Sequence, residues 1–378
     1  MNVPAGPLPK AGRSLSEEIG TPALLVDARG LDANIAAMAA ACAGRRQRLR
    51  PHVKTHKCAE IARRQIAAGA VGVSCAKLSE AEAMADHGIA DLLITTPVVG
   101  AGKPRRLAAL ATRARVIAVA DSEACIAAYA AAAAAAGVVL ETLVEVNVGQ
   151  DRCGVAPGPA AAHLAAFIGA FPALRFAGLQ GYQGRAQGIG GFAERKAAIA
   201  RAADLLTVAA DAVRAAGLPV GILTGGGTGS LAFDLAGDLL TELQPGSYVF
   251  MDTSYLGLDW DGAGAPPPFA NALTVLTTVV SRVRPDRAIV DAGWKAISSD
   301  SGLPAVMGRD DLVFDFAGDE HGTLARRDGG PLDLAVGDTV ELVPSHCDTT
   351  VALHDRLFVV AADGGIARWA VDARGRFD

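Results

Sequence analysis

The stretch VGVSCAKLSEAEAMADHGIADLLIT, residues 71–95, contains the unit from which the fold is built. A short apolar run at 71–75 is followed by a segment of helical period that ends in Gly88, and a second apolar run follows at 91–95. Glycine is the residue that most often ends a helix. Two strands joined by a helix lie parallel in one sheet. The stretch therefore predicts a parallel sheet covered by helices.

The same alternation of strand and helix patterns continues to about residue 250. Beyond 71–75 and 91–95, the strand candidates are RPHVK (50–54), VIAVAD (116–121), LVEVNVG (143–149), FAGLQGY (176–182), GILTGGG (221–227) and LQPGSYVF (243–250). Eight parallel strands with helical crossovers close a (β/α)8 TIM-type barrel, which is the predicted α/β fold. A doubly wound open sheet gives the same local pattern and stays as the alternative.

After about residue 260 the sequence loses its helical period. Runs rich in β-branched residues follow, joined by Gly and Asp turns: ALTVLTTVVSRV (272–283), RAIVDAG (287–293), DTVELVPSHC (338–347) and RLFVVAADGGIARWAVDAR (356–374). We predict a barrel domain at 20–258 and a C-terminal all-β domain at 259–378. Residues 1–19 are candidates to pack with the second domain.

The composition narrows the class of protein. The 378 residues are 51% hydrophobic with a net charge of −5, which predicts a small-molecule partner and no nucleic acid. The longest apolar run, 124–140, is mostly alanine and is split by Gly137, so it predicts a helix and a strand and no membrane span. The first twenty residues lack a signal-peptide core and the six cysteines form no CxxC pair, which predicts a cytoplasmic protein with reduced thiols.

The active site of a (β/α)8 barrel forms at the carboxyl ends of its strands. These ends carry Lys54 after the first strand, Arg152 after the fifth, Tyr182 after the sixth, the loop TGGGTGS (224–230) after the seventh and Tyr248 in the eighth. We therefore expect a lysine, an arginine, a tyrosine and a glycine-rich loop to share one rim.

Two features of this rim suggest a cofactor. The backbone amides and hydroxyls of 224–230 can cradle a phosphate, although the loop can also be a plain glycine turn. Lys54 ends an apolar strand, so partial desolvation would free its amine to act as a nucleophile. A surface lysine is the alternative interpretation, and Lys57 is a competing candidate. A Schiff-base lysine together with a phosphate cup indicates pyridoxal 5′-phosphate (PLP).

Several motifs occur in the order that is typical of one enzyme family. They are TPALLVD (21–27), RPHVKTHK (50–57), VSCAKLSEAEAM (73–84), QDRCGV (150–155), LQGY (179–182), TGGGTGS (224–230), QPGSYVFMD (244–252) and HCD (346–348). Over most of its length the chain resembles the fold-type III PLP enzymes. It is most similar to the group of D-threonine aldolase, D-3-hydroxyaspartate aldolase and D-serine dehydratase, whose barrel is that of alanine racemase.

The resemblance implies a role for each matched residue. Lys54 looks like the lysine that carries PLP, and Arg152 looks like an arginine near the cofactor ring or the substrate carboxylate. Tyr182 looks like an active-site tyrosine, with a core aromatic as its alternative. The phosphate would be held by Thr224, Gly226, Gly227 and Thr228, with Tyr248. The segment DAGWKAISSD (291–300) also fits the family, with Asp291 as a candidate contact.

The resemblance also implies a divalent metal at HCD (346–348). On an extended segment residues 346 and 348 share a face, so His346 and Asp348 are the predicted ligands and Cys347 is a small buried residue. The aldolases of the group pair His with Asp, which suits Mn²⁺, Mg²⁺ or Co²⁺, whereas the dehydratases pair His with Cys, which suits Zn²⁺. Asp348 therefore favours an aldolase. A polar turn without a metal is the alternative.

The predicted activity is cleavage of a D-3-hydroxy amino acid, D-threonine or D-3-hydroxyaspartate, to glycine and an aldehyde. The main alternative is a metal- and PLP-dependent dehydratase of D-serine or D-3-hydroxyaspartate. A racemase, a non-enzymatic PLP carrier and a sugar-phosphate-binding barrel are weaker interpretations. Aldolases of the group carry a histidine where this chain has Gln183, which cannot act as a base, and Arg185 is a candidate partner for a β-carboxylate. The resemblance also implies a homodimer.

Overall fold

The computed structural model describes residues 13–378. Its strands, in chain order, are β1 (Ala23–Asp27), β2 (Arg48–Leu49), β3 (Val73–Cys75), β4 (Asp91–Ile94), β5 (Arg115–Ala120), β6 (Leu140–Glu145), β7 (Leu174–Gly181), β8 (Ile222–Gly225), β9 (Glu242–Leu243), β10 (Leu273–Arg284), β11 (Arg287–Val290), β12 (Ala305–Val306), β13 (Leu312–Phe316), β14 (Gly322–Arg326), β15 (Thr339–Val343), β16 (Arg356–Val360) and β17 (Ile366–Ala370).

The helices, in chain order, are α1 (Arg13–Ile19), α2 (Ala28–Cys42), α3 (Ala59–Ala67), α4 (Leu78–Asp86), α5 (Lys103–Leu110), α6 (Glu123–Ala136), α7 (Pro159–Gly169), α8 (Gly184–Gln187), α9 (Phe192–Ala215), α10 (Leu231–Ala236), α11 (Thr253–Leu256) and α12 (Cys347–Val351). Short 3₁₀ turns lie at Val53–Thr55 and Ser247–Val249. The chain forms two compact units. The barrel unit comprises residues 39–54, 59–246 and 375–378, and the β unit comprises the described residues up to 38, 55–58 and 247–374.

Eight strands of the barrel unit form one parallel sheet. Their order is β2-β9-β8-β7-β6-β5-β4-β3. A parallel bridge between His52 and Ser74 joins the chain after β2 to β3, so the two edges of the sheet meet. This closure confirms the predicted (β/α)8 barrel and excludes the open doubly wound sheet.

Seven of the eight predicted barrel strands overlap observed strands, whereas the first predicted run, RPHVK (50–54), begins directly after β2. The first and the last observed strands are also shorter than predicted. β2 and β9 have two residues each, and both predicted runs continue into 3₁₀ turns. Pro51 and Pro245 follow closely after these strands. A proline has no amide hydrogen to donate to the strand ladder, which explains why the extended pairing stops there.

The alanine-rich run forms a surface helix of the barrel and a strand, as predicted. Ser122 caps α6 by accepting a hydrogen bond from the amide of Cys125, and Gly137 ends the helix in the left-handed conformation. β6 then begins at Leu140. Within residues 13–378, no helix has both the length and the apolar character needed to cross a membrane.

Buried ion pairs hold the amino-terminal ends of the barrel strands together. The guanidinium of Arg50, which has no exposed surface, lies 2.6 Å from Glu242 at the start of β9 and 2.5 Å from Asp91 at the start of β4. Arg115 connects Asp91 to Glu141 on β6, with N–O distances of 2.7 and 2.8 Å. Arg50 therefore pairs with strands on both sides of the seam between β2 and β3.

A polar network crosses the barrel interior at Gln180 on β7. Its side-chain nitrogen donates to the carbonyl of Thr95 at 2.9 Å and to the carboxyl of Glu145 at 2.5 Å, and its oxygen accepts from Gln244 at 3.0 Å. Gln244 also donates to the hydroxyl of Thr224 at 2.8 Å. Burial raises the pKa of Glu145 to about 8, although the hydrogen bond from Gln180 and a nearby arginine charge oppose the shift. Glu145 is therefore mostly protonated at neutral pH.

The β unit is built on a mostly antiparallel sheet. Its strand order is β13-β14-β11-β10-β1-β16-β17, with β15 paired to β10 and β12 paired to β15. Leu25, Leu276 and Phe358 are buried together in the apolar core of this sheet. The β-rich runs after residue 260 correspond to β10, β11 and β15–β17, which confirms the predicted all-β character of the C-terminal part.

The strand β1 pairs in the β unit, although the predicted barrel domain begins at residue 20. Leu25 pairs antiparallel with Thr274 and parallel with Phe358, so β1 lies between β10 and β16. Its first four residues are all buried, and such a strand needs a neighbour on each side. Leu15 and Ile19 of α1 also pack against this core. Residues 1–12 of the predicted N-terminal segment lie outside the described residues.

We predict that Arg50→Met destabilises the protein by about 3–5 kcal/mol, because it leaves Glu242 near a buried seam without its cation and leaves Asp91 with Arg115 alone. Arg48→Met is the matched control, since Arg48 is exposed and lies two residues earlier, on β2. The free energies of unfolding of both variants would be measured by urea denaturation. Equal stability of the two variants would contradict the role of Arg50 at the seam.

We predict that Glu145→Gln is more stable than the wild type above about pH 8 and loses this advantage in acid. The folded wild type holds a proton up to a pKa of about 8, whereas the unfolded chain releases it near 4.5, so wild-type stability falls as the pH rises through this window. The largest difference is about 5 kcal/mol. Denaturation curves at several pH values test this, with Glu194→Gln on the exposed side of α9 as control. Parallel pH profiles for wild type and Glu145→Gln would refute it.

Candidate active site

The barrel unit brings four of the predicted features to the carboxyl ends of its strands. Lys54 follows β2, Arg152 follows β6, Tyr182 follows β7, and the loop 224–230 begins in β8. Since the strands of the barrel are parallel, their carboxyl ends lie on one rim. The structure therefore gathers these features at the place where barrel enzymes bind substrate.

The sequence predicts Lys54 at the end of an extended strand, but the residue lies in a 3₁₀ turn. Its amide donates to Nδ1 of His52 at 3.3 Å, and Nε2 of His52 lies 3.1 Å from the hydroxyl of Thr95. The imidazole thus gives the Lys54 amide the partner that a neighbouring strand would otherwise supply. Because Thr95 also accepts from Gln180, the half-buried lysine is fixed at its backbone to the interior network.

Lys57, the competing lysine, lies in a different setting. It belongs to the β unit, its φ of 51° is in the left-handed region, and its side chain is buried. Its carbonyl accepts a hydrogen bond from the amide of Ala373 at 3.0 Å. Tyr248 also belongs to the β unit, where the centre of its buried ring lies 5.5 Å from the ring centre of Phe269. Of the two lysines, Lys54 is the one that belongs to the barrel unit.

Arg152 and Tyr182 contact each other at the ends of β6 and β7. The central guanidinium carbon lies 5.9 Å from the centre of the tyrosine ring, within the range of a cation–π interaction. The loop that carries Arg152 is shaped by Asn147, whose side-chain oxygen accepts from the amides of Gly149 at 2.9 Å and Asp151 at 3.2 Å. The guanidinium therefore reaches the rim from an ordered turn.

The glycine loop leaves no space for side chains at several positions. A Cβ on Gly225 would lie 2.1 Å from the carbonyl oxygen of Gly181. On Gly227 and Gly229 it would lie 2.5 and 2.2 Å from oxygen atoms of Gln187. The loop needs glycine because it packs directly against the end of β7 and against α8.

Hydrogen bonds tie this loop to the protein behind it. The amide of Gly227 donates to Oγ of Ser230 at 2.9 Å, and this hydroxyl donates to Asp234 at 2.6 Å. The amide of Ser230 donates to Oε1 of Gln187 at 3.1 Å. Gly227 therefore packs closely against Gln187, and its amide is already hydrogen-bonded to Ser230. The prediction had assigned Gly227 to the phosphate cup.

One buried acceptor at the rim finds no hydrogen-bond donor among residues 13–378. This atom is Oε1 of Gln183, whose nitrogen donates to the carbonyl of Val148 at 3.4 Å. Buried acceptors are normally satisfied, so a donor group of a ligand fits here. The rim thus offers a lysine amine, a guanidinium on an aromatic ring, a glycine loop and an open acceptor. This set of groups fits PLP with an amino acid.

The β unit holds the second predicted centre. Nε2 of His346 lies 3.8 Å from Oδ2 of Asp348, and its Nδ1 lies 2.7 Å from Oδ2 of Asp300. The other oxygen of Asp300 accepts from Thr349 at 2.7 Å and from Ser298 at 2.8 Å. Burial raises the pKa of Asp300, but hydrogen bonds from His346, Thr349 and Ser298 outweigh it and lower the pKa. A carboxylate on Nδ1 leaves the Nε2 lone pair available, as in metal-binding histidines.

The residues His346–Asp348 do not form the extended segment that was predicted. Cys347 begins helix α12, and His346, the residue before it, has an extended backbone with φ −147° and ψ 118° and makes no side-chain capping hydrogen bond. The Cys347 amide donates to the carboxylate of Asp252 at 3.0 Å. The first amides of a helix have no partner within the helix, and here Asp252, from a distant segment, supplies the acceptor. The Cys347 side chain is fully buried, and burial raises the pKa of its thiol.

Asp291 does not contact this centre. Its carboxylate accepts from the hydroxyls of Thr21 and Thr277 and from the amide of Thr278. The residue of the segment 291–300 that reaches His346 is Asp300, which was not among the residues predicted from the sequence. Asp300 lies 46 positions from His346, and no spacing rule marks a pair made by folding over that distance. Its place in a family-like segment was the only signal available.

No group of three His, Cys, Asp or Glu side chains within residues 13–378 is arranged to hold a metal ion. His346 and Asp348 offer one imidazole nitrogen and one carboxylate. A catalytic metal keeps positions open for water and substrate, so a pair of this kind fits a divalent cation whose other ligands are not protein side chains.

Two family models match the two parts of the chain. The alanine racemase N-terminal domain matches residues 26–254, and the putative serine dehydratase domain matches residues 272–360. Together they cover the barrel with its flanking segments and most of the C-terminal part.

Relatives and solved structures match over nearly the whole chain. A 3-hydroxy-D-aspartate aldolase of Paracoccus denitrificans (strain Pd 1222) is 42% identical over 365 residues, which is 95% of this chain and 93% of that protein. The structure of D-threonine aldolase from Filomicrobium marinum matches with a TM-score of 0.91 at 42% identity and covers 95% of this chain and 96% of that one. A D-threo-3-hydroxyaspartate dehydratase of Delftia sp. (strain HT23) is 31% identical over 375 residues, covering 93% and 97%. The chain therefore belongs to the alanine racemase-like, fold-type III PLP enzymes, in the group that includes D-threonine aldolase and 3-hydroxy-D-aspartate aldolase.

Proposed function

We propose that the protein is a PLP- and divalent-metal-dependent aldolase that cleaves D-3-hydroxy amino acids to glycine and an aldehyde. The observation that carries this proposal is the pair His346 and Asp348, with Asp300 behind the imidazole. An oxygen donor at position 348 gives the hard ligand set expected of an aldolase. The aldolase relatives are also more similar to this chain, at 42% identity, than the dehydratase at 31%.

Cys347 cannot take the place of Asp348 as a ligand in this geometry. Its sulfur is fully buried and lies 3.7 Å from the carbonyl oxygen of Met251. Burial and the nearby carboxylates of Asp252 and Asp348 raise the pKa of its thiol, whereas a metal would need the thiolate. The cysteine inside the HCD motif therefore does not favour a dehydratase.

Lys54 would hold PLP covalently through its amine, and the loop 224–230 would receive the phosphate. The hydrogen bond from the Lys54 amide to His52 fixes the point from which the side chain extends, so the amine can leave and return to one position. When bound, PLP supplies an electron sink for breaking the Cα–Cβ bond, and the metal supplies a Lewis acid that lowers the pKa of the β-hydroxyl.

Arg152 would bind an anionic group of the cofactor or the substrate carboxylate. Its guanidinium lies over Tyr182, and a guanidinium can bind a carboxylate through two parallel hydrogen bonds. Because burial raises the pKa of Glu145 to about 8, that neighbouring group is mostly neutral at pH 7 and leaves the arginine charge available.

Gln183 would orient the substrate and cannot take its proton. A carboxamide has no basic site at neutral pH, so Gln183 does not replace the histidine that the resemblance implies for this stretch. Its buried Oε1, which has no donor among the described residues, can accept a hydrogen bond from the ammonium or hydroxyl of the substrate. Such a bond would fix the substrate at the rim between Tyr182 and α8.

Both D-threonine and D-3-hydroxyaspartate are proposed substrates. Arg185 is exposed on α8 close in sequence to Gln183, and its amide donates to Gln150 at 3.0 Å. Its guanidinium is a candidate partner for the second carboxylate of D-3-hydroxyaspartate. The hard donors favour Mn²⁺, Mg²⁺ or Co²⁺ over Zn²⁺. The family resemblance further supports a homodimer as the active form.

Purified protein supplied with PLP and Mn²⁺ is expected to convert D-threonine to glycine and acetaldehyde, or D-3-hydroxyaspartate to glycine and glyoxylate. EDTA should abolish the reaction, because the β-hydroxyl then keeps its ordinary acidity. Amino acids would be quantified by chromatography and aldehydes by trapping, with D-serine as a third substrate. A 2-oxo acid with ammonia in place of glycine would identify a dehydratase and refute the aldolase proposal.

The two lysines provide a matched control for the cofactor position. Lys54→Arg is expected to lose both the visible absorbance of the PLP-bound protein and its activity, whereas Lys57→Arg keeps the absorbance. Borohydride reduction followed by mass spectrometry identifies the modified peptide in the wild type. Labelling of Lys57 in place of Lys54 would overturn the assignment.

We predict that Asp300→Asn weakens Mn²⁺ binding by about 10- to 100-fold, because the imidazole of His346 loses the charged partner that orients it. Affinity would be measured by competition with a chromogenic chelator, which needs no turnover. Asp319→Asn, at an exposed carboxylate of the same unit, is the control. An Asp300→Asn variant that binds Mn²⁺ as tightly as this control would show that the hydrogen bond to Nδ1 does not support the metal.

A further inference from the structure

A cavity of about 460 Å³ lies in the helix layer of the barrel unit. Phe192, Ile199 and Leu206 of α9 line it together with Phe233 of α10 and Leu240 after that helix. The ring centres of Phe192 and Phe233 are 5.0 Å apart. The two helices that contribute to it differ in length, since α9 has 24 residues and α10 has six. Most of the lining residues are apolar.

A single cationic side chain lines this cavity. Lys196 of α9 is exposed, and within residues 13–378 it has no carboxylate partner. The other polar residues at the cavity are Gln183, Gln187 and Asp234. Burial raises the pKa of Asp234 to about 7, although hydrogen bonds from Ser230 and the Gly227 amide oppose this. Lys196 is thus available to an anionic group of a ligand.

We propose that the cavity binds a small organic acid with an apolar body, whose carboxylate pairs with Lys196, and that its occupancy changes the hold of the glycine loop on phosphate. The volume lies within the range of small-molecule sites, roughly 300–1,000 Å³. The apolar walls disfavour sugars, nucleotides and the polar amino acids that the active site would take, because their polar groups would be buried without partners.

The cavity and the glycine loop share two side chains. Gln187 accepts from the Ser230 amide at 3.1 Å and donates to the Ser230 hydroxyl at 3.1 Å, and Asp234 accepts from that hydroxyl at 2.6 Å. The same hydroxyl receives the amide of Gly227. A ligand that shifts Gln187 or Asp234 therefore changes the shape of the loop. This coupling rests on the proposed role of the loop in binding the phosphate of PLP.

The acid site is tested by isothermal titration of the full-length protein, with PLP and after its removal, with 4-phenylbutyrate as the probe. Saturable binding at one site per chain is expected. The neutral analogue 4-phenylbutan-1-ol should bind about five- to tenfold more weakly, because it cannot form the charge-assisted contact with Lys196. Equal affinity of acid and alcohol would overturn the proposed pairing with Lys196.

Two variants locate the site. Lys196→Met removes the cation at an exposed position and should weaken binding of the acid by about five- to tenfold, whereas Lys103→Met on α5, outside the cavity, should not change it. Ala203→Phe places a ring inside the cavity from α9 and should abolish binding, with circular dichroism verifying that it folds. Binding that both Lys196→Met and Ala203→Phe leave unchanged would refute the site, as would the absence of saturable binding at millimolar probe.

The coupling is tested through the affinity for PLP. Saturating 4-phenylbutyrate should change the dissociation constant of PLP by about fivefold or more, and by linkage PLP should change the affinity for the acid by the same factor. Unchanged PLP affinity with the acid bound would refute the coupling. Acid binding that responds to both variants supports the cavity even if no aldolase activity is found, because it is also measured without PLP.

Discussion

The closure of the barrel depends on one buried cation. β2 contributes two strand residues, so the seam between β2 and β3 has few backbone hydrogen bonds to hold it. Arg50 lies at this seam with Glu242 on one side and Asp91 on the other. Gly72 permits the arrangement, since a Cβ there would lie 2.6 Å from Nη1 of Arg50 and 2.5 Å from the carbonyl oxygen of Asp91. The lysine expected to hold the cofactor, Lys54, follows in the same segment, so the contacts that close the seam also place the lysine.

Polar side chains in the barrel interior extend this constraint to the rest of the rim. The side-chain amide of Gln180 donates two hydrogen bonds through its nitrogen and accepts one through its oxygen. A buried amide without partners would destabilise the fold, whereas this one connects neighbouring strands. One branch leads through Thr95 and His52 to the amide of Lys54. The other leads through Gln244 to Thr224 at the start of the glycine loop. The lysine and the loop, which would hold opposite ends of PLP, are therefore positioned by one network.

The sequence predicts the strands of the barrel well because a buried parallel strand is a continuous apolar run, and the carboxyl ends of these runs locate Lys54, Arg152 and Tyr182. It does not show where ALLVD (23–27) pairs, since four buried apolar residues suit either sheet. It also misses the residues that orient the candidate ligands. Asp300 and Asp252 reach His346 and Cys347 only through folding, and a contact between distant segments leaves no periodic signal in the chain.

His346 and Asp348 come together for a reason other than the alternation of an extended strand. In a helix, side chains two positions apart would point to nearly opposite sides, since successive residues are rotated by about 100° around the helix axis. His346 is still extended, with φ −147° and ψ 118°, while Asp348 is already helical, and this change of direction brings Nε2 to 3.8 Å from Oδ2. The helix start is supported by Asp252 on the Cys347 amide, and Asp300 orients the ring. The residues CDTTV favour a strand over a helix by their β-branching, so tertiary contacts decide this local geometry. The same three residues in a loop without these contacts would not direct the side chains of His346 and Asp348 toward one ion.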